Sequence, residues 1–212
     1  MEIAILIFDR LTALDAVGPY EVLSRLPGAE VRFVAEEPGP KRTETDMLSL
    51  VADYALADVS EPEILVVPGG FGTRPLIGHE PVLDWIRSAH ERSTWTTSVC
   101  TGSLLLGAAG VLDGLKATSH WLELERLREF GAEPTAERVV EQGKVITAAG
   151  VSSGIDMALR LAAHVAGEDV AQAIQLGIEY DPQPPFDAGS PQKAPQHVVD
   201  LVTAFGAATE AS

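Results

Sequence analysis

The chain has 212 residues, of which 46% are hydrophobic, and it carries a formal net charge of −16. This length and composition are typical of one globular domain with a full hydrophobic core, and they exclude a disordered chain. The acidic excess argues against nucleic acid as a partner. No apolar run is long enough to cross a bilayer, which predicts no membrane partner. The absence of a signal-peptide pattern predicts a cytoplasmic protein.

Short apolar runs alternate with helical segments along the first half of the chain. The runs at residues 3–8 and 64–67 are apolar throughout, which is typical of strands that are buried on both faces of a parallel sheet. In chain order the sequence predicts a strand at 3–8, a helix at 20–26 that starts after Pro19, a strand at 30–35, an extended segment at 48–52, a strand at 64–67 and a helix at 81–92.

The second half continues the same alternation. The predicted elements are strands at 95–99 and 116–119, helices at 101–109 and 121–130, a hairpin of strands at 138–141 and 144–148, and helices at 152–166, 169–178 and 197–205. Residues 181–195 are rich in proline and glycine, which predicts irregular chain. The whole pattern predicts one α/β domain over residues 1–212, with a doubly wound, mostly parallel sheet and helices on both faces.

The strongest local signal surrounds Cys100, the only cysteine, which lies between a predicted strand and a predicted helix. This arrangement, in which one residue forms the bend between a strand and a helix, resembles a nucleophile elbow with cysteine in place of serine. Gly102 allows the turn to close tightly. The N–H groups at the helix start are expected to favour a thiolate. The alternative is an inert, buried cysteine, but its position at the bend favours the reactive interpretation.

Two further segments are expected at the same edge of the sheet. Asp15 follows the first strand, and a carboxyl group buried there could stay protonated and donate to the sulfur, although a helix-capping role is equally open. Gly69 and Gly70 close the strand at 64–67. Their backbone N–H groups could stabilise a developing negative charge, and the alternative is a simple glycine turn.

His120 ends the predicted strand at 116–119 and could assist proton transfer, although a structural or interface role is more common for such a histidine. A single cysteine forms neither an intramolecular disulfide nor a cysteine-rich zinc site. The five histidines show no spacing typical of metal ligands, so no metal site is expected.

Several motifs together resemble the ThiJ/PfpI superfamily, whose members have a flavodoxin-like, class I glutamine amidotransferase-like fold with a cysteine elbow. The segments that carry this resemblance are residues 14–23, 68–70, 98–102, 117–121 and 150–156. The tail at 179–191 is similar to that of the isocyanide (isonitrile) hydratases in particular. Thr101 stands where the protease-like branch has a histidine, which argues against peptidase activity.

The resemblance implies a hydro-lyase that converts a small isocyanide into a formamide through a covalent thioimidate on Cys100. Asp15 would be bonded to the nucleophile, and Thr101 would assist. The residues expected at the substrate or its negative charge are Gly69, Gly70, His120 and Val151. The resemblance also implies a homodimer without metal or organic cofactor.

Three alternatives remain open at this point. The first is a redox-responsive protein in which Cys100 becomes oxidised to a sulfinic acid. The second is a glyoxal-processing enzyme of the same superfamily. The third is the ligand-binding half of a transcription regulator, which the acidic composition disfavours.

Overall fold

The computed structural model describes residues 1–210, with side chains described up to residue 207. Within this range the strands are, in chain order, β1 (Glu2–Leu6), β2 (Glu30–Ala35), β3 (Gly39–Arg42), β4 (Ser49–Ala52), β5 (Tyr54–Ala55), β6 (Ile64–Val67), β7 (Trp95–Val99), β8 (Lys116–Ala117), β9 (Glu133–Pro134), β10 (Val139–Gln142) and β11 (Val145–Ala148). The α-helices are α1 (Ala13–Leu23), α2 (Thr73–Leu76), α3 (Glu80–Arg92), α4 (Gly102–Ala108), α5 (Ser153–Ala166), α6 (Glu168–Gly177) and α7 (Gln196–Glu210). Two 3-10 helices lie at Leu56–Asp58 and Leu124–Phe130.

A seven-stranded sheet in the order β10-β11-β7-β6-β1-β2-β5 forms the centre of the fold. Its neighbouring strands are parallel, except that β10 and β11 form the antiparallel hairpin that the sequence predicts. The strands β3 and β4 form a separate antiparallel hairpin, and β8 pairs with β9. The predicted mostly parallel, doubly wound sheet is confirmed.

The helices pack in two groups, as a doubly wound fold requires. Helix α5 contacts both α1 and α6, whereas α4 contacts α2 and α3. The central strands are buried between these groups, since the side chains from Ile3 to Leu6 and from Ile64 to Val67 are at most 1% exposed. Burial on both faces explains why these two segments have no polar side chain.

The register of the central strands brings three loops to one edge of the sheet. Ile5 pairs with Val66, and Val67 pairs with Ser98. The chain therefore leaves β1, β6 and β7 at a common edge, just before α1, the Gly69-Gly70 turn and Cys100. This is the edge at which open α/β sheets place their ligands.

The predicted start of the first helix is wrong. Helix α1 begins at Ala13 rather than at Tyr20, so Pro19 lies inside it. A proline there removes one intrahelical hydrogen bond, which is why Pro19 predicts the start of a helix and not its interior. The helix is retained because α1 packs on α5, where a Cβ on Gly18 would lie only 3.1 Å from Ile155.

Other boundaries differ less. The segment predicted as a helix at 121–130 is a 3-10 helix from Leu124 to Phe130, ended by Gly131 with a φ of 76°. The predicted strand at 116–119 is reduced to β8, and the last helix is longer than predicted. No helix in the described part of the chain is both long and apolar enough to span a membrane.

By its contacts the chain divides into two compact units, Met1–Ile178 and a second unit that begins at Glu179. The first unit contains the whole seven-stranded sheet. In the second unit, residues 181–195 form neither helix nor strand, as predicted, and α7 follows. That residues 1–212 form a single domain stays a prediction.

Candidate active site

Cys100 lies at the bend between β7 and α4 in a left-handed backbone conformation with a φ of 57°. This conformation is unfavourable for a residue with a Cβ and persists only where the surroundings hold it. Here the N–H group of Cys100 donates to the carbonyl oxygens of Ala148 and Ala149, at 3.0 Å each. Its carbonyl oxygen accepts hydrogen bonds from the hydroxyls of Ser103 and Ser119, each at 3.1 Å. The predicted elbow is confirmed.

The elbow needs a glycine after it because α4 starts against the end of β6. A Cβ on Gly102 would lie 2.0 Å from the carbonyl oxygen of Val67, which is a backbone atom that cannot move away cheaply. The tight turn that the sequence predicts at Gly102 is therefore a steric requirement.

Asp15 lies in the first turn of α1 and is fully buried. Its Oδ2 accepts a hydrogen bond from the backbone N–H of Gly69 at 2.9 Å, a partner outside its own helix. The capping interpretation is therefore not supported by this bond. The second oxygen, Oδ1, is buried and accepts no hydrogen bond from the residues that the structure describes.

Asp15 and Cys100 are neighbours that change each other's ionisation. Burial raises the pKa of Asp15 to about 8, while the Gly69 N–H group and Cys100 act in the opposite direction. Burial and the charge of Asp15 also raise the pKa of the Cys100 thiol, and the backbone N–H of Thr101 lowers it. A second negative charge is strongly disfavoured in this buried pair, so the pair carries at most one charge near neutral pH.

The expectation of a thiolate held by a helix start is wrong for the free protein. Cys100 is only 5% exposed, and the helix α4 that follows it has only seven residues. Desolvation therefore outweighs the few N–H groups near the sulfur. A thiolate at Cys100 is therefore disfavoured in the free protein.

The N–H groups of Gly69 and Gly70 already have partners inside the protein. Gly69 donates to Asp15, and Gly70 donates to the hydroxyl oxygen of Thr101 at 2.9 Å. In this geometry the two glycines hold the acid and Thr101 in place, and an oxyanion hole at these atoms would require both bonds to break. The backbone N–H of Thr101 instead faces the sulfur.

His120 and Val151 lie at the periphery of this arrangement. The Nδ1 of His120 accepts from the N–H of Leu122 at 3.4 Å, and burial together with the charge of Arg74 lowers the pKa of His120. Gly150 packs on this ring, since a Cβ there would lie 2.5 Å from Cδ2 of His120. Val151 is half-buried in the turn before α5. Neither residue bonds to Asp15 or Cys100 in the described structure, and their places at the substrate stay predictions.

Two residues that hold the site were not assigned a role from the sequence. Ser119 donates to the carbonyl of Cys100, and the fully buried Thr73 donates from Oγ1 to the carbonyl of Gly70 at 2.8 Å. Thr73 opens α2, a four-residue helix that is too short for a periodic signal. Within the described residues, no group of three His, Cys, Asp or Glu side chains could hold a metal ion.

The substitution Gly69→Ala is expected to lower the free energy of unfolding by about 1–3 kcal/mol, as overpacking of a buried site typically does. The added Cβ would lie 2.5 Å from the Thr101 nitrogen and 3.0 Å from Oδ2 of Asp15. Urea denaturation measures this change, with Gly78→Ala as the matched control because nothing lies within 4 Å of its Cβ position. Equal stability of the two variants would contradict the tight approach at Gly69.

Comparison with known proteins places this geometry in a family. The DJ-1/PfpI family model matches residues 1–164. The isonitrile hydratase of Pseudomonas putida is 44% identical over 200 residues, which cover 94% of this chain and 87% of that protein. The HTH-type transcriptional regulator CdhR of Pseudomonas aeruginosa is 31% identical over 77% of this chain and 49% of its own length.

Solved structures agree with the family match. A crystal structure of a ThiJ/PfpI family protein from Pseudomonas syringae has a TM-score of 0.94 and 38% identity, covering 99% of this chain and 89% of that one. Drosophila melanogaster DJ-1beta has a TM-score of 0.75 at 22% identity, covers 84% of this chain and 97% of its own, and shows the fold alone. The resemblance inferred from the motifs is thereby confirmed, and the chain belongs to the DJ-1/PfpI family.

Proposed function

We propose that the protein is an isocyanide (isonitrile) hydratase, which adds water to R–N≡C and releases an N-substituted formamide. The observation that carries this proposal is the buried pair of Asp15 and Cys100, in which a carboxyl group with a pKa of about 8 lies beside the only thiol. The 44% identity with the Pseudomonas putida isonitrile hydratase over nearly the whole chain supports the same reaction.

The first step starts from the singly charged pair, in which the Cys100 sulfur carries the negative charge and Asp15 carries the proton. The Cys100 sulfur attacks the terminal carbon of the isocyanide, and Asp15 gives its proton to that same carbon. One S–C bond forms, one of the two C–N π bonds breaks, and the product is the thioimidate R–N=CH–S–Cys100. The N–H of Thr101 stabilises the thiolate while it forms, and Asp15 is left as a carboxylate.

The second step adds water to the thioimidate carbon. Asp15 now acts as a base and takes a proton from water as the water oxygen bonds to the carbon, and it passes this proton to the nitrogen as the C–N π bond breaks, which leaves Asp15 a carboxylate again. The resulting R–NH–CH(OH)–S–Cys100 then loses the sulfur as the hydroxyl gives up its proton to the pair. The products are the formamide and the original pair, so the sum is one isocyanide and one water.

We infer further that the protein is a cytoplasmic homodimer that acts on a small molecule. The family resemblance supports the dimer, and the net charge of −16 argues against nucleic acid as a partner. Hydration changes no overall oxidation state of the reactants, so the proposed chemistry calls for no redox cofactor, and the Cys100 sulfur supplies the nucleophile that a metal-bound hydroxide provides in other hydratases. The redox alternative has less support because Cys100 is buried and burial raises its thiol pKa.

The test is incubation of the purified protein with para-nitrophenyl isocyanide, with formamide formation followed by chromatography. Turnover above that of Cys100→Ala is the expected result, and its absence would rule out the hydratase. Two parallel measurements separate the alternatives. Lactate formed from methylglyoxal would favour glyoxal processing, and oxidation of Cys100 by mild peroxide without any turnover would favour a redox role.

A further inference from the structure

The carbonyl oxygen of Gly70 is surrounded by more donors than it can accept. The backbone N–H of Thr73 lies at 3.1 Å and its hydroxyl at 2.8 Å, while the hydroxyl of Thr101 lies at 3.2 Å and Nη1 of Arg74 at 3.4 Å. A carbonyl oxygen has two lone pairs. The two donors of Thr73 are the nearest and fill both of them.

The hydroxyl of Thr101 is within hydrogen-bond distance of this carbonyl at 3.2 Å, but it is the weaker hydroxyl competitor, since the Thr73 hydroxyl lies at 2.8 Å. The Thr101 oxygen accepts the N–H of Gly70 at 2.9 Å, which fixes the position of Oγ1, while its proton has only the longer, shared contact with the Gly70 carbonyl. Thr73 Oγ1 lies 3.3 Å from Thr101 Oγ1, so the two hydroxyls are in direct contact. Without the Thr73 hydroxyl, the Thr101 proton would turn to the Gly70 carbonyl.

The Thr101 hydroxyl lies beside the carboxyl group of Asp15. A Cβ built on Gly69 would be 2.7 Å from Thr101 Oγ1 and 3.0 Å from Oδ2 of Asp15, so both oxygens border the same small space. Thr101 also follows the nucleophile directly in the chain. A hydroxyl held here can donate to negative charge beside Cys100 or to a reacting nitrogen or oxygen.

We propose that Thr73 is a positioning residue, whose hydroxyl occupies the Gly70 carbonyl and thereby keeps the Thr101 hydroxyl available as a donor in the active site. This inference rests on the proposed hydratase function for its kinetic consequences. It assigns a role to a residue outside the Cys100, Asp15 and Thr101 set.

Thr73 is itself held rigidly enough to act in this way. It is fully buried, and Gly72 before it packs so closely that a Cβ would lie 2.0 Å from the carbonyl oxygen of Asp9. Arg74, the next residue, forms an ion pair with the nearly buried Glu123 at 2.9 Å. The short helix α2 is thus anchored on both sides of the Thr73 hydroxyl.

The first test compares Thr73→Val, which keeps the shape and removes the hydroxyl, with Thr73→Ser, which keeps the hydroxyl. We expect Thr73→Val to lower kcat about tenfold with little change in KM, because a donor used in the transition state is lost, and Thr73→Ser to stay within about twofold. The matched control is Thr97→Val, since Thr97 is equally buried and its hydroxyl donates to the Leu65 carbonyl at 3.0 Å. A loss in Thr73→Ser as large as in Thr73→Val would overturn the inference.

The second test is a double-mutant cycle with Thr101→Val. If Thr73 acts only through Thr101, adding Thr73→Val to Thr101→Val lowers kcat no further. An equal fold-loss in both backgrounds would show a general structural effect and overturn the inference.

The third test needs no hydration and therefore separates the two proposals. The pH dependence of Cys100 alkylation by iodoacetamide is expected to shift to higher pH in Thr73→Val, because the Thr101 hydroxyl no longer donates to the negative charge that Asp15 and Cys100 share. Thr73→Ser and Thr97→Val are expected to match the wild type. Such a shift in a protein without turnover would refute the hydratase and support the role of Thr73, whereas an unchanged profile would overturn that role.

Discussion

The substitution Cys100→Ser is expected to lower the rate of isocyanide hydration by at least about a thousandfold. A serine hydroxyl at this position would have to lose its proton in a buried site beside the negatively charged or protonated Asp15, and an alcohol gives up a proton far less readily than a thiol. No hydrogen bond connects His120 to Cys100 in the described structure, so His120 is not placed to act as a base for a serine. The size and polarity of the residue change little, so the fold should be retained.

Two measurements check this prediction. Circular dichroism and thermal unfolding should give the same fold for Cys100→Ser and the wild type. Acid quenching during turnover, followed by mass spectrometry, should show the wild type with the added mass of one whole isocyanide, because the thioimidate contains every substrate atom and one enzyme proton. The adduct must be absent from Cys100→Ser and from Cys100→Ala. Serine-variant turnover within tenfold of the wild type would contradict covalent catalysis by this thiol.

The sequence alone determines much of the fold because the central strands bury both faces. Short apolar runs such as residues 3–8 and 64–67 indicate strands buried in a sheet, and their alternation with helices predicts that the sheet is parallel. Cys100 was likewise found from its position, since a cysteine followed by Gly102 between a strand and a helix predicts an elbow. These patterns involve residues that are close together in the chain, so the sequence is sufficient to recognise them.

Features that depend on contacts between distant segments could not be predicted. The start of α1 was missed because its early residues are apolar almost all round and Pro19 mimics a start signal, whereas packing on α5 stabilises the longer helix. Thr73 was missed because its role exists only where β6, β7 and α2 meet. The raised pKa of the Cys100 thiol depends on how deeply the elbow is covered, and no residue pattern reports that depth.

The buried pair gives Asp15→Asn two expected effects of opposite sign. Hydration is expected to fall by about 10²–10⁴-fold, which is the usual size of a general acid–base contribution, because the amide has no proton to give to the isocyanide carbon. Alkylation of Cys100 above about pH 8, where Asp15 is ionised, is expected to become faster, since the charge of Asp15 raises the pKa of the thiol and its removal lowers that pKa. The amide oxygen can still accept the Gly69 N–H, which preserves the local geometry.

The carboxyl group of Asp15 also determines how the unfolding free energy and the hydration rate change with pH. Asp15 has a pKa of about 8 in the folded protein and 3.8 as an ordinary carboxyl, so the folded state holds this proton more tightly. The stabilisation of the folded state that comes from this tightly held proton is fully present below pH 3.8 and is lost as the pH rises through about 8. Wild-type hydration should rise over the upper part of this range, because the proton lost there converts the neutral pair into the singly charged pair that the proposed first step uses. The unfolding free energy of Asp15→Asn should lack this dependence.

A matched substitution separates these effects from a general loss of negative charge. Asp84 lies on α3 with its side chain 67% exposed and pairs with Arg87, so Asp84→Asn removes the same charge outside the site. We expect it to leave hydration, alkylation and their pH profiles unchanged. Slower alkylation of Cys100 in Asp15→Asn would mean that the carboxylate activates the thiol as a base in the free protein. The assignment of Asp15 as the proton donor to the isocyanide would then have to be abandoned.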